Sequence, residues 1–477
     1  MLIENRTIPT VLFLFFLFSF ALLLMSGDER WVAAPVFACV AMVVWLWMSL
    51  WHRDQKIPFF DVGMFCALAI LIYTVYPLIN YWADGLQFGS LGDFRLRSYN
   101  ISPSELGFFH LRHVLYLFSF VVCYSVFRGK GTMEMGNIIS PNSSTKKVIL
   151  FCFFLLTGYF FLLQAMTGLN YNTSYESDAF GKNVSAFASA PLILIQISSK
   201  LSPFLFLFKL ALLLIVVSRC KEKKWLMILI LWTAFEVFQT VYIKGARTGL
   251  ILFVMAAGLF FHRIIKPLSM KFLTLTGISI FIFFIFLGFY RSYEDLSYMR
   301  ANLSNSDSGI FSGNNEFQVL LGTEYDVFQR KSAGAVIPWY LHINDFIDVL
   351  PPQQLMPFEK IAARDWYIQE IGMSGTGLGL MWGVITQSII GLDWLELPIR
   401  GAILGFILGW FHRWYLRRQS GFLWTLFYVY FCLIIYNTFR DTTFSFLVNI
   451  LWELIPFYII LRVGGLFFRH KVSYRYG

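Results

Sequence analysis

The chain has 477 residues, of which 57% are apolar, 19% aromatic and only 14% charged, with a mean hydropathy of +0.63. A soluble domain is about 25% charged, so this composition excludes a cytosolic enzyme, a secreted disulfide scaffold and a disordered regulator. The 38 Lys and Arg outweigh the 28 Asp and Glu, giving a net charge of +10. These cations sit mainly between apolar runs rather than on one basic face, which points to a lipid bilayer and away from nucleic acid.

In chain order, the long apolar runs predict twelve spans. They lie at about 8–26, 31–51, 58–82, 107–127, 148–166, 201–219, 225–243, 249–265, 272–290, 397–415, 421–439 and 444–462. Spans of roughly 20 residues would use about half of the chain. The run from Ile8 to Met25 is followed by Gly27-Asp28-Glu29-Arg30 and another apolar run. With no small-residue cleavage site there, it reads as a retained span. If the N-terminus is inside, Lys146, Lys147, the Arg219–Lys224 run, Arg413, Arg417 and Arg418 all fall in inner connections. That bias puts both termini in the cytoplasm.

The stretch 376–395 is apolar but rich in Gly. A full span there would turn Arg413–Arg418 outward, so it reads as re-entrant or interfacial, with its irregular backbone sheltered by protein. The expected fold is thus an all-α polytopic membrane protein of about twelve transmembrane helices, both termini cytoplasmic, with one large outer loop bearing short helices. Residues 1–290 form a nine-span bundle and 291–396 the loop with its re-entrant or interfacial segment. Residues 397–477 form a three-span C-terminal bundle and a cytoplasmic tail.

Long outer connections mark where the work is done, and four places there combine charge with a membrane boundary. Lys244-Gly245-Ala246-Arg247-Thr248-Gly249 is a tight outer turn, suited to binding an anion and equally to a snorkelling Arg. Arg291 leaves the ninth span beside Tyr293, Glu294 and Asp295, as an anion site or as an aromatic-belt anchor. Arg440 and Asp441 share the short turn before the last span. In the long loop Glu324 and Asp365 stand out among the acids, because each neighbours a Tyr or an Arg (Tyr325, Arg364). The loop aromatics, Tyr325, Phe328, Trp339, Tyr340, Trp366 and Tyr367, suit stacking on sugar rings.

Other polar groups read as ordinary. His110, Arg112 and His113 could line a cavity, and an interfacial helix end explains them as well. Asp61, Glu236 and Glu453 fall inside predicted spans but are too scattered for a proton relay. The six cysteines form no CxxC pair and read as buried small hydrophobes. There is no internal repeat, which removes support for an inverted-repeat transporter. No Walker A or GxGxxG stands at a strand–helix junction, and no DxD motif lies in the outer loops. No cofactor and no obligatory metal are expected.

Together, Arg247 in its Gly-rich turn (GARTGL), Arg291 at a span exit, the long loop and Arg440 in FRDTTFSF resemble the Wzy-type O-antigen polymerases of the bacterial inner membrane. GTEYD, Gly322 to Asp326, falls where that family carries a charged cluster, and Arg364 to Gly375 matches an RX10G pattern found in some members. The resemblance implies a multi-pass inner-membrane glycosyltransferase that joins undecaprenyl-pyrophosphate-linked oligosaccharides at the periplasmic face, so the large loop would be periplasmic. Membrane lipids and a chain-length regulator are the further partners it implies.

On this view Arg247, Arg291 and Arg440 converge on the pyrophosphate, because guanidinium grips phosphate with paired hydrogen bonds. Glu324 or Asp441 deprotonates the acceptor hydroxyl, and Arg364, Asp365, Tyr325, Lys244 and Tyr293 bind substrate. Two rivals remain: an O-antigen ligase, for which His342 is the one histidine in the large loop, and a flippase or transporter, which needs mid-span charges and broken helices.

Overall fold

The computed structural model describes residues 27–54, 61–88, 93–129, 138–167, 192–242, 247–266, 268–269, 275, 279, 316–343, 349, 363–372, 381–435, 437–441 and 443–473. In chain order these form α1 (Glu29–Asp54), α2 (Val62–Ala83), α3 (Phe94–Ser98), α4 (Pro103–Phe127), α5 (Ser143–Thr167), α6 (Leu192–Ser218), α7 (Lys223–Tyr242) and α8 (Arg247–Ile264). They continue with α9 (Glu316–Ser332), α10 (Ala363–Glu370), α11 (Val384–Ile390), α12 (Glu396–Leu416), α13 (Phe422–Ile434), α14 (Asn437–Arg440), α15 (Ser445–Asn449) and α16 (Ile455–Ser473). Two 3-10 turns, Trp339–Ile343 and Asp393–Leu395, and a π turn, Ile450–Leu454, complete the set.

The protein is an all-helical, polytopic membrane protein. Among the described residues, eight stretches are long and apolar enough to cross a bilayer: Glu29–Leu50, Val62–Ala83, Pro103–Phe127, Ser143–Leu163, Lys200–Ser218, Asp393–Leu416, Phe422–Arg440 and Ser445–Phe468. Each coincides with one of the twelve predicted spans. Of the other four, 225–243 is the helix α7, and 249–265 is α8, whose apolar part Gly249–Ile264 is shorter than a span. The run 8–26 lies outside the described residues, as do all but two residues of 272–290.

The chain divides into two compact units. The first comprises Met1–Met133, Ser308–Arg417 and Ile434–Asn449; the second comprises Glu134–Asp307, Arg418–Leu433 and Ile450–Gly477.

In the first unit α1, α2, α4 and α12 make the apolar bundle. Local signals start its helices. Asp61 caps α2 by accepting from the amides of Gly63 and Met64, so it stands at the helix entrance and not within the span as its sequence position suggested. Ser102 caps α4, with Pro103 in the first turn. The closest packing is of α12 on α4. A Cβ at Gly401, Gly405 or Gly409 would lie 2.4 Å from the Tyr116 carbonyl, 2.5 Å from the Phe120 carbonyl and 2.9 Å from the Arg128 amide. The contacts ascend both helices together, so α4 and α12 run parallel along a small-residue seam. At one end of the bundle Asp61 gathers the Tyr124 hydroxyl, Arg128 at 2.8 Å and His412 at 3.5 Å. At the other end lie α3, α9, α11 and α14.

The second unit packs α5, α6, α7, α8 and α16. Its intramembrane charges are neutralised locally, as a low-dielectric surrounding requires. Lys209 pairs with Glu236 at 2.6 Å, Trp232 donates to the same carboxylate at 3.0 Å, and the Tyr430 hydroxyl donates to Glu453 in the π turn.

Candidate functional site

Helix α9 organises the polar end of the first unit. Residues Leu321 to Val327 are all buried, an unusual burial for so polar a stretch, and their polar groups are met by residues far away in the chain. Asp93 caps α3 and grips Arg95 twice, at 2.8 Å each. Arg95 in turn donates to the Val319 carbonyl at 2.8 Å, to Thr323 Oγ1 at 2.8 Å and to the Tyr367 hydroxyl at 3.2 Å. Gly322 makes this possible, since a Cβ there would stand 2.6 Å from Asp93 Oδ1. Asp326 accepts from the hydroxyls of Tyr367 (2.6 Å) and Tyr99 (2.5 Å) and from Arg330 Nε (2.8 Å). Burial alone would push the Asp326 carboxyl up, but these donors together hold it below the usual carboxylate value.

Two residues before Asp326 and so on the other side of α9, Glu324 has no exposed surface. Its Oε2 lies 3.1 Å from Nε2 of His113, also buried. Burial pushes the Glu324 carboxyl well above its ordinary range. Thr74 Oγ1 lies 3.2 Å from Nδ1 of His113, and the His110 ring stacks on that of His113 at 4.9 Å. Gly383 closes the site: a Cβ there would be 3.2 Å from Glu324 Oε1 and 3.1 Å from the Phe439 carbonyl. The Phe439 ring meets those of His113 (5.6 Å), Tyr73 and Tyr116.

The turn that follows Phe439 carries two predicted site residues. Arg440 is half-buried and Asp441 reaches the surface. The surrounding protein raises the Asp441 carboxyl above its ordinary value, against the pull of the Arg440 and Arg364 charges. The charge of Arg364, remote in sequence, thus reaches Asp441 alongside that of Arg440. Arg364 and Asp365, both exposed, approach at 3.7 Å at the start of α10.

Other predicted site residues stand elsewhere. Tyr325 is buried and donates its hydroxyl to Glu105, and its ring packs against Tyr99, Phe109 and Phe328, leaving no ring face for a sugar. Arg247 opens α8, but its side chain lies outside the described residues, as do Lys244, Arg291, Tyr293 and Gly375. His342 is exposed in the Trp339–Ile343 turn. Among the described residues no group of three or more His, Cys, Asp or Glu is arranged to hold a metal ion.

Sequence reasoning undervalued three features here. His110, Arg112 and His113 are not an interfacial helix end, because all three are buried. Arg112 binds Asp393 twice, at 2.8 and 2.7 Å, within a cage of Phe109, Phe328 and Trp394, and holds Asp393 in the left-handed region (φ 48°). Lys331 caps α11 by donating to the carbonyls of Ile389 (2.5 Å) and Gly391 (3.0 Å). The signals were present: two histidines at i and i+3 beside an Arg in an otherwise apolar helix, and GAILGFILG at 401–409 as a helix-packing seam. No family model, no curated protein and no solved structure matches this chain.

Proposed function

We propose that this protein is a membrane glycosyltransferase of the bacterial inner membrane. It polymerises undecaprenyl-pyrophosphate-linked oligosaccharide repeat units into O-antigen or a similar surface polysaccharide at the periplasmic face. The observation that carries this reading is that Asp441, at the polar end of an apolar helix bundle, feels the charges of both its neighbour Arg440 and Arg364, remote in sequence.

When the glycosidic bond to a lipid pyrophosphate breaks, negative charge grows on phosphate oxygens. Guanidinium groups fixed nearby stabilise that charge more in the transition state than in the ground state. Arg440 and Arg364 supply the cations. Asp441, exposed and with a raised affinity for protons, is the carboxylate within reach of an acceptor hydroxyl, and it takes that proton as the sugar oxygen attacks. Glu324, the other candidate base, has no exposed surface and needs the α9–α11 contact to open before it meets substrate.

The reading includes twelve spans with both termini cytoplasmic. Two features support that count. Helix α11 has seven residues, all buried, and extends about 10 Å against a hydrocarbon core of about 30 Å. The parallel course of α4 and α12 also requires an odd number of crossings between them. Helices α5 to α8 and the run 272–290 supply five, with none from 376–395.

The decisive experiment supplies purified protein with lipid-pyrophosphate repeat units and follows chain growth by gel. Wild type makes a ladder. Arg440→Ala slows it about 10²–10³-fold, and Asp441→Asn does so with substrate binding retained. Absence of any ladder, with the lipid-linked unit instead moved across a vesicle bilayer, would reject the polymerase. A transporter has one feature in its favour, the intramembrane Lys209–Glu236 and Tyr430–Glu453 pairs beside a π turn, and that assay decides between them. A ligase would lose activity in His342→Ala, which a polymerase survives.

A further inference from the structure

We infer that Arg400 is a positioning residue for transfer: held by Glu396, it fixes the turn that carries Arg440 and Asp441 by donating to Thr443. Arg440 ends α14, and Asp441 follows it, exposed, on the link to α15. Neither helix sets that link by itself. α14 has four residues and α15 has five, whereas isolated helices shorter than about 12–15 residues are marginal. The placement of Arg440 and Asp441 therefore depends on what grips the turn at its two ends.

At the near end, the Phe439 ring is packed among Tyr73, His113 and Tyr116. That grip is apolar and sets no direction for the backbone beyond it. At the far end Thr443 is fully buried, and its Oγ1 accepts from Arg400 Nη1 at 2.9 Å. A hydrogen bond does set direction. Arg400 is itself buried and is turned by Glu396, one helical turn earlier in α12. Its Nε and Nη2 reach Glu396 Oε1 at 2.6 and 2.5 Å. The other carboxylate oxygen accepts from the Leu392 amide at 2.8 Å, and it lies so close to Gly391 that a Cβ there would overlap it.

The corner between α11 and α12 that supplies these contacts is held in turn by Lys331, on the Ile389 and Gly391 carbonyls, and by Arg112, on Asp393. One line of hydrogen bonds thus runs from that corner through Glu396 and Arg400 to Thr443. A planar guanidinium spans a carboxylate and a hydroxyl at once, which a single ammonium does not do in fixed directions. Arg400 acts by placement, since the charges that reach Asp441 are those of Arg440 and Arg364. Loosening the turn moves cation and base relative to the breaking bond, and a shift of about 1 Å costs on the order of 10²-fold in rate. The role in transfer rests on the function proposed above, whereas the clamp on the turn does not.

The test uses the full-length chain in lipid nanodiscs, supplied with lipid-pyrophosphate repeat units. Thr443→Val keeps the shape and removes the acceptor. Its kcat should fall about 10- to 100-fold while KM changes by less than about threefold. The Asp441 amide, which donates to the Asn437 carbonyl at 2.8 Å, should exchange faster. Thr443→Ser keeps the hydroxyl and should restore both. Arg400→Lys keeps the charge and should show the same kinetic split and the same exchange, which keeps the inference testable if the Val variant does not fold. The double variant should be no slower than the slower single one, because both changes break one link. Wild-type kcat in either single variant, an unchanged Asp441 exchange, equal losses in Thr443→Ser and Thr443→Val, or additive losses in the double variant overturn the inference. A chain that polymerises nothing, yet exchanges faster in Thr443→Val and not in Thr443→Ser, removes only the function proposed above.

Discussion

At the scale of single residues, the polar end of the first unit depends on donors outnumbering the penalty of burial. Asp326 receives three, and its carboxyl is held below the ordinary range as a result. A carboxyl lowered in the folded state stabilises above the unfolded value, about 3.9, and that contribution is lost as pH falls through the folded value. Asp326→Asn should therefore cost about 1–3 kcal/mol at neutral pH and much less under acid conditions, as read from melting temperature against pH. Glu324 carries the opposite sign: its raised carboxyl favours the folded state at low pH and loses that advantage as pH rises. Gly322→Ala drives a methyl toward Asp93 Oδ1 at 2.6 Å and should cost about 1–3 kcal/mol through overpacking, measured by thermal unfolding in detergent. The sequence flagged GTEYD as charged, but not that its charges turn inward. Nothing local distinguishes a solvated Glu from one that a histidine in another helix awaits.

At the scale of elements, helix pairing is governed by small residues and by ends. The seam of Gly401, Gly405 and Gly409 lets α12 approach the α4 backbone without a side chain between. Gly405→Ala should destabilise by about 1–3 kcal/mol through overpacking, and Gly405→Leu should prevent assembly, seen as loss of the monodisperse peak on gel filtration in detergent. The end of α11 relies on Lys331. Lys331→Met keeps the aliphatic stem and removes the cation, and should expose amides 384–391 to faster hydrogen exchange while leaving the seam intact. Helix positions were legible because an apolar run with a capping Asp or Ser defines its own ends; the interruption of α13 and α14 after Ile434 was not, since it falls within a continuously apolar stretch.

At the scale of the whole molecule, composition alone demanded a membrane, and among the described residues eight stretches meet its length and apolarity. The proposed topology makes a direct prediction. A cysteine replacing Trp339, which is 74% exposed, should react with an impermeant thiol reagent from the periplasmic side of intact cells. One replacing Arg418 should react only after the inner membrane is opened. Reaction of both from the periplasmic side would require 376–395 to cross.

The sequence by itself determined that the chain is helical, lipid-embedded and polar at its connections, because each helix satisfies its own backbone and apolar length is a local property. Only the tertiary structure decided which polar groups meet. Arg95 and Thr323, 228 residues apart, and His113 with Glu324 are brought together by helix packing, whose geometry depends on the fit of whole faces that no short stretch of sequence contains.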